Sequence, residues 1–110
     1  MEEFVKGDVV VVPFPFSDLS RSKRRPAFIA ANLRGDDLIL CQITSEARID
    51  EYSVFVENSD FKNGGLNLAS VVRPNRIFTA DKSIILYKAG SLKQFKISEV
   101  ENVIVDIFRE

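Results

Sequence analysis

Apolar residues in this chain fall into short runs over most of its length and change to a three-and-four spacing only near the end. DVVVVPF (8–14) is a β-branched run too short and too continuous for an amphipathic helix, and Gly7 punctuates its start. It predicts a strand buried on both faces, which Pro13 and Pro15 end or confine to a sheet edge. AFIAANL (27–33) and LILCQITS (38–45), joined by a turn at Arg34-Gly35-Asp36-Asp37, predict two strands with a short connection. YSVFVE (52–57) alternates as a strand with one wet face, and NSDFKNGG (58–65) reads as a turn-rich loop. LASVVRP (68–74), RIFTA (76–80) and SIILYKAG (83–90) supply further strands.

From Ile97 onward, Val100, Val103, Ile104, Ile107 and Phe108 recur at a spacing of three and four and fall on one face of a helix. Ser98 followed by Glu101 matches a capping box and sets the expected helix start at Ser98. That face packs on the sheet or, in part, meets a second subunit. Short strands at this spacing followed by a helix predict a mainly β fold, a small barrel or sandwich, with a C-terminal α-helix. The 110 residues are 45% hydrophobic and carry no repeat or linker, so residues 1–110 are expected to form a single domain around one core.

Composition narrows the chemistry. The net charge is −1, so no whole-molecule field draws the protein to an anion, and any anion site must be local. There is no histidine, which removes the commonest general base near neutral pH and the commonest zinc ligand. Cys41 is the single cysteine; that excludes an internal disulfide and a thiolate cluster, and within LILCQIT it reads as a buried small hydrophobe. MEEFVKGD lacks the basic and apolar regions of a secretory signal, and no apolar stretch approaches membrane-spanning length, so a cytoplasmic protein with no membrane partner is expected.

Three stretches could act on an anion. SRSKRRPAFIAA (20–31) places four cations, Arg21, Lys23, Arg24 and Arg25, ahead of a proline. Such runs are commonly solvated charges that guard an edge. Proline, however, drives the preceding residue toward extended geometry, which fixes Arg25 where a loop enters a strand. A fixed guanidinium presents the planar fork of donors that suits phosphate. QITSEAR (42–48) closes a strand with Thr44 and Ser45, hydroxyls that serve as turn formers or, beside an arginine, as phosphate ligands. SVVRPNR (70–76) holds a second Arg-Pro step, with Arg73 and Arg76 on either side of Asn75.

These segments, in this order, resemble the MazF/PemK/Kid family of toxins from bacterial toxin–antitoxin modules. The matching stretches are GDVVVVPF, the RRPAFI step (family R-P-A/V-L-V), LCQITS (family I-T-S/A) and SVVRPNRIFTADKS (family V-V-x-x-x-Q-x-R-T-x-D-K). The resemblance runs over nearly the whole chain. It implies a small SH3-like barrel with a C-terminal helix, a homodimer, a cognate antitoxin protein as partner, and cofactor-free, metal-independent cleavage of single-stranded RNA. It places the family's catalytic arginine on Arg25 and the threonine on Thr44, with Ser45 and Arg73 as further catalytic or phosphate-binding groups. Lys23, Arg24, Asn75 and Arg76 would contact RNA.

Three departures stand out. The aspartate implicated in Kid-like members falls on Asn75, which cannot act as a base. The arginine of R-T-x-D is Phe78, and the first loop reads FPFSDLSRSK where the family carries glycine. No general base is identified; Glu46 and Asp18 are merely near in sequence. Two other classes compete: a non-cutting RNA- or antitoxin-binding module or CcdB-type toxin acting by protein contact, and a generic SH3-like interaction domain. The R-P and I-T-S steps favour the nuclease, since neither alternative requires them.

Overall fold

The computed structural model describes residues 3–14, 23–45 and 49–110. Its elements are β1 (Asp8–Phe14), β2 (Lys23–Asn32), β3 (Asp37–Thr44), β4 (Val54–Val56), β5 (Phe61–Gly64), β6 (Ser70–Asp81), β7 (Tyr87–Leu92) and α1 (Gln94–Phe108). The strands form one sheet in the order β4-β6-β3-β2-β1-β7-β5, and every pairing is antiparallel. The sheet curls into a half-barrel, and the mainly β fold with a C-terminal helix is the one the spacing predicts. Pro15, Asp18, Arg21 and Glu46, named above, lie outside the described residues.

Burial follows the pleat. Val9, Phe28, Cys41, Ile43 and Val72 project to one face and pack under Ile97 and Val100 of α1. Val10, Val12, Ala27, Ile29, Leu38 and Leu40 project to the other and pack with Phe4, Phe78 and Ile85. This accounts for the unbroken VVVV of β1, whose residues from Asp8 to Val12 are all buried. Pro13 is tolerated because the β1–β7 register runs only from Asp8 to Val11, so beyond that point β1 has β2 alone as a neighbour.

Four expectations change. The cations of residues 23–25 stand in β2, not in a loop before it, opposite Phe14, Pro13 and Val12. The runs 68–74 and 76–80 are one strand, β6; its pairing with β3 jumps from Cys41↔Ile77 to Gln42↔Arg73, so Pro74, Asn75 and Arg76 form a bulge that accommodates the proline. Within 58–65 a 3-10 turn at Asn58–Asp60 leads into β5, whose Phe61 is buried opposite Leu92. Gly64 has φ +67°, and its Cα lies against the backbone of Ala89 and Gly90, where a side chain would collide.

Helix α1 begins at Gln94, not Ser98, so Ser98 is a helical residue and the capping box is not formed. Backbone bonds set the earlier start: the Lys93 amide donates to the Asp60 carbonyl at 2.8 Å, and the Ile97 amide donates to the Lys93 carbonyl at 3.1 Å. Lys96 secures that first turn. Its ammonium, 11% exposed as a side chain, lies 2.9 Å from Glu99 and 3.9 Å from Asp60, and it donates to the Phe55 carbonyl at 3.0 Å. No helix of the described residues is long and apolar enough to cross a membrane.

Candidate nucleic-acid interface

Strands β2 and β3 pair in one register from Ile29↔Leu40 to Ala27↔Gln42. Pairing stops there because Pro26 has no amide to donate. Alternation along each strand places Arg25, two residues from Ala27, and Thr44, two residues from Gln42, on the same face as that last pair. On the other side of β3, Arg73 is the partner of Gln42 and Val71 that of Thr44. Directly opposed residues of antiparallel strands share a face, so Arg25, Gln42, Thr44 and Arg73 continue the face that holds Val12, Ala27 and Leu40. All four are half-buried. The interior of the sheet thus passes, along a single face, from aliphatic core to two guanidinium groups and a hydroxyl.

The remaining candidates divide around this set. Lys23 is two residues from Arg25 and shares its face, exposed at the strand end. Arg24 alternates to the opposite face and is exposed, so the structure separates it from Arg25. Ser45 is exposed one residue beyond β3. Asn75 and Arg76 stand exposed in the β6 bulge.

Asp50, which the sequence did not single out, lies against two of these candidates. Its Oδ2 accepts from Arg73 Nη2 at 3.4 Å and from Asn75 Nδ2 at 3.2 Å. Its Oδ1 accepts from the Tyr52 amide at 2.9 Å and from Ser53 Oγ at 3.2 Å, and its own amide donates to Ser53 Oγ at 3.0 Å. Burial alone would raise this carboxyl; the Tyr52 amide and the Ser53, Asn75 and Arg73 side chains outweigh that and hold it below its ordinary 3.8. Asp-x-x-Ser in RIDEYS signals such a turn. Nothing local signals that the turn faces residues 73 and 75.

The same turn is tied to the end of α1, where Tyr52 Oη donates to the Glu110 carboxylate at 2.9 and 3.0 Å. That bond to Glu110 is the main reason the phenol is raised above its usual 10.0. Beside α1, an apolar groove of about 250 Å³ is lined by Phe28, Ile39, Ile77, Ile104, Val105 and Phe108, among others. Phe108 is 75% exposed, so the apolar face of the helix is only partly spent on the core. Cys41 is buried, and burial pushes its thiol up to about 12, so it is a packing residue as its sequence context predicts. Among the described residues no cluster of three metal-ligating side chains occurs.

A half-buried arginine donates strongly to an anion, because low local dielectric strengthens the charge-assisted bond. Arg25, Thr44 and Arg73 thus set two guanidinium groups and a hydroxyl on one half-buried face of a protein whose net charge is −1, a rim with the chemistry to receive an anion. Fold and rim together define a small curled-barrel domain with a cationic, hydroxyl-bearing face and a helix packed behind it.

The chain belongs to the PemK-like, MazF-like toxin family of type II toxin-antitoxin systems, whose family model matches residues 5–108. It is similar in fold to an endoribonuclease in complex with its cognate antitoxin from a mycobacterial species (15% identity, 97% of this chain and 96% of that one, TM-score 0.77). It is likewise similar to MazF from Deinococcus radiodurans (18% identity, 100% of both chains, TM-score 0.76). A MazE–MazF structure from the same organism gives 16% identity over 98% of this chain and 97% of that one, with TM-score 0.75. No curated protein sequence matches the chain.

Proposed function

We propose that this toxin is a sequence-selective endoribonuclease that cleaves single-stranded RNA without a metal ion, leaving a 2′,3′-cyclic phosphate and a 5′-hydroxyl. The reading is carried by the placement of Arg25, Thr44 and Arg73 on one face of the sheet, each of them half-buried. In this reaction the ribose 2′-oxygen attacks the adjacent phosphorus; the O2′–P bond forms, the P–O5′ bond breaks, the 2′-proton leaves to solvent and the 5′-oxygen takes one up. Negative charge grows on the equatorial oxygens, so a fixed guanidinium is the most effective group the protein can offer. Removing one such donor typically costs on the order of 10²- to 10³-fold in rate.

Arg25 is the clamp on that charge. Thr44, with Ser45 beside it, orients the 2′-hydroxyl or bonds a phosphate oxygen, and Arg73 supplies a second cation. An arginine remains protonated at neutral pH, so neither guanidinium acts as the base. Unpaired RNA is the fitting substrate, since its 2′-oxygen can swing in line with the phosphate and its bases can be splayed for reading. Lys23, Asn75 and Arg76 lie at the rim, where contacts to neighbouring nucleotides would confer selectivity. A cognate antitoxin neutralises the toxin, the apolar groove beside α1 serves association with a second copy, and the protein acts in the cytoplasm.

The test is incubation of a long single-stranded RNA with the protein in EDTA, beside Arg25→Ala and Thr44→Ala, followed by mapping of the product ends. Discrete cuts with cyclic-phosphate and 5′-hydroxyl ends, lost in both variants, are expected. Intact RNA beside an active family member would replace the nuclease with a binding module.

A further inference from the structure

Asn75 leaves the site without the carboxylate that the family pattern carries at that position, yet a carboxylate from elsewhere in the chain lies against it. We propose that Asp50 is the positioning carboxylate of the site, holding Arg73 and Asn75 in the orientation that cleavage requires. The inference rests on the nuclease reading and adds a residue to it. Among the described residues, Asp50 accepts from both of these side chains through one oxygen, at 3.4 and 3.2 Å. Its other oxygen is fixed by the Tyr52 amide and Ser53 Oγ, at 2.9 and 3.2 Å, so the direction of the first is set by the turn.

Arg73 depends on that contact. Its Nε is buried and has no hydrogen-bond partner among the described residues, and its Nη2 bond to Asp50 orients the guanidinium. Asp50 engages a single Nη nitrogen, which leaves the N–H donors of the other Nη uncommitted to this carboxylate. The pair is partly buried, with side chains 15% and 35% exposed, and the same carboxylate oxygen also receives Asn75, so one group orders two residues of the site at once. Asn75 fits the same logic: an amide can donate to Asp50, whereas an aspartate in its place would repel it. The depressed carboxyl agrees with a positioning role, because a carboxylate so weakly basic is poorly matched to taking a proton at neutral pH.

The experiment compares the unaltered protein with Asp50→Asn, Arg73→Ala, the double variant and Ser53→Ala in steady-state cleavage of a fluorogenic RNA containing the mapped site. Asn at 50 can keep the bond from the Tyr52 amide while losing the charge and the acceptor that hold Arg73. Asp50→Asn is expected to lower kcat on the order of 100-fold with little change in KM, the usual scale for a misplaced catalytic group. The double variant is expected to lose far less than the product of the two single losses, since much of what Asp50 does passes through Arg73. Ser53→Ala loosens the same turn but leaves Oδ2 and its partners, and is expected to lose less than tenfold.

Losses that multiply in the double variant, or a Ser53→Ala loss equal to that of Asp50→Asn with matched drops in melting temperature, would reduce Asp50 to a structural residue. Cleavage by Asp50→Asn at the unaltered rate overturns the inference alone. Absence of cleavage by the unaltered protein overturns the nuclease reading, and this inference with it.

Discussion

Strand alternation separates two adjacent arginines, and salt dependence of RNA binding should report it. Arg25 is half-buried on the face that carries Thr44 and Arg73, whereas Arg24 is exposed on the opposite face. Each phosphate neutralised on a single strand adds about −0.7 to the slope of log affinity against log salt. Lys23, Arg25 and Arg73 on one face therefore give a slope of about −2 per protomer, or roughly a 20-fold loss of affinity between 50 and 200 mM salt. Arg25→Ala should flatten the slope by about 0.7, and Arg24→Ala should leave it unchanged. The assay is fluorescence anisotropy of a short labelled 2′-O-methyl RNA, which cannot be cut, titrated with each protein over that salt range. Equal flattening by both variants would refute the one-face rim, and a salt-independent affinity in the unaltered protein would refute phosphate binding there altogether.

Other expectations follow from single contacts. Gly64→Ala places a Cβ 2.2 Å from the Ala89 carbonyl oxygen at a φ of +67°. With left-handed strain of roughly 1–2 kcal/mol and overpacking of roughly 1–3 kcal/mol, a loss of about 2–5 kcal/mol should appear in urea unfolding. The depressed Asp50 carboxyl stabilises the fold above its unfolded pKa and is lost as pH falls through the lower folded one, so Asp50→Asn should remove part of the acid denaturation below pH 3.8, monitored by circular dichroism. Asn75→Asp sets a second carboxylate against Asp50 and should raise one of the pair, giving the cleavage rate an acid limb in its pH profile that the unaltered protein lacks. With its thiol at about 12, Cys41 should react with Ellman's reagent at pH 8 only when the protein is unfolded, at a rate matching global unfolding.

Periodicity made β1, β2, β3, the Gly35 turn and the helical face legible, because a period of two or of 3.6 records which side of an element meets the core. What it could not record is how elements continue through an interruption. Pro74 and the polar pair after it look like a break between two strands, but the β6 ladder resumes on both sides of a bulge that the pairing with β3 requires. The start of α1 was hidden for a related reason: the Asp60 carbonyl, far along the chain, receives the Lys93 amide and outweighs the local Ser98–Glu101 signal. Arg25 and Thr44 could be picked out as candidates since each lies beside a feature with its own local constraint, a proline and a strand end. Asp50 was not, because what gives it meaning is a partner 23 residues on and another 25 residues on.

That long-range pairing also changes how the Asn75 substitution is weighed. Considered alone, an amide where the family pattern has a carboxylate argues for a protein that binds RNA without cutting it. Charge in a site is set by what surrounds a position in space, and here a carboxylate lies 3.2 Å from the amide nitrogen, held ionised by its own turn. Asn75 and Asp50 form a donor–acceptor pair in which neither residue could take the other's chemistry without a compensating change. Exchanging them, Asp50→Asn with Asn75→Asp, restores one donor and one acceptor, and cleavage by that double variant should exceed cleavage by either single one. If the exchange is as inactive as the product of the two single losses, the carboxylate has a fixed place at 50, and its bond to Arg73 rather than to Asn75 is the contact that cleavage requires.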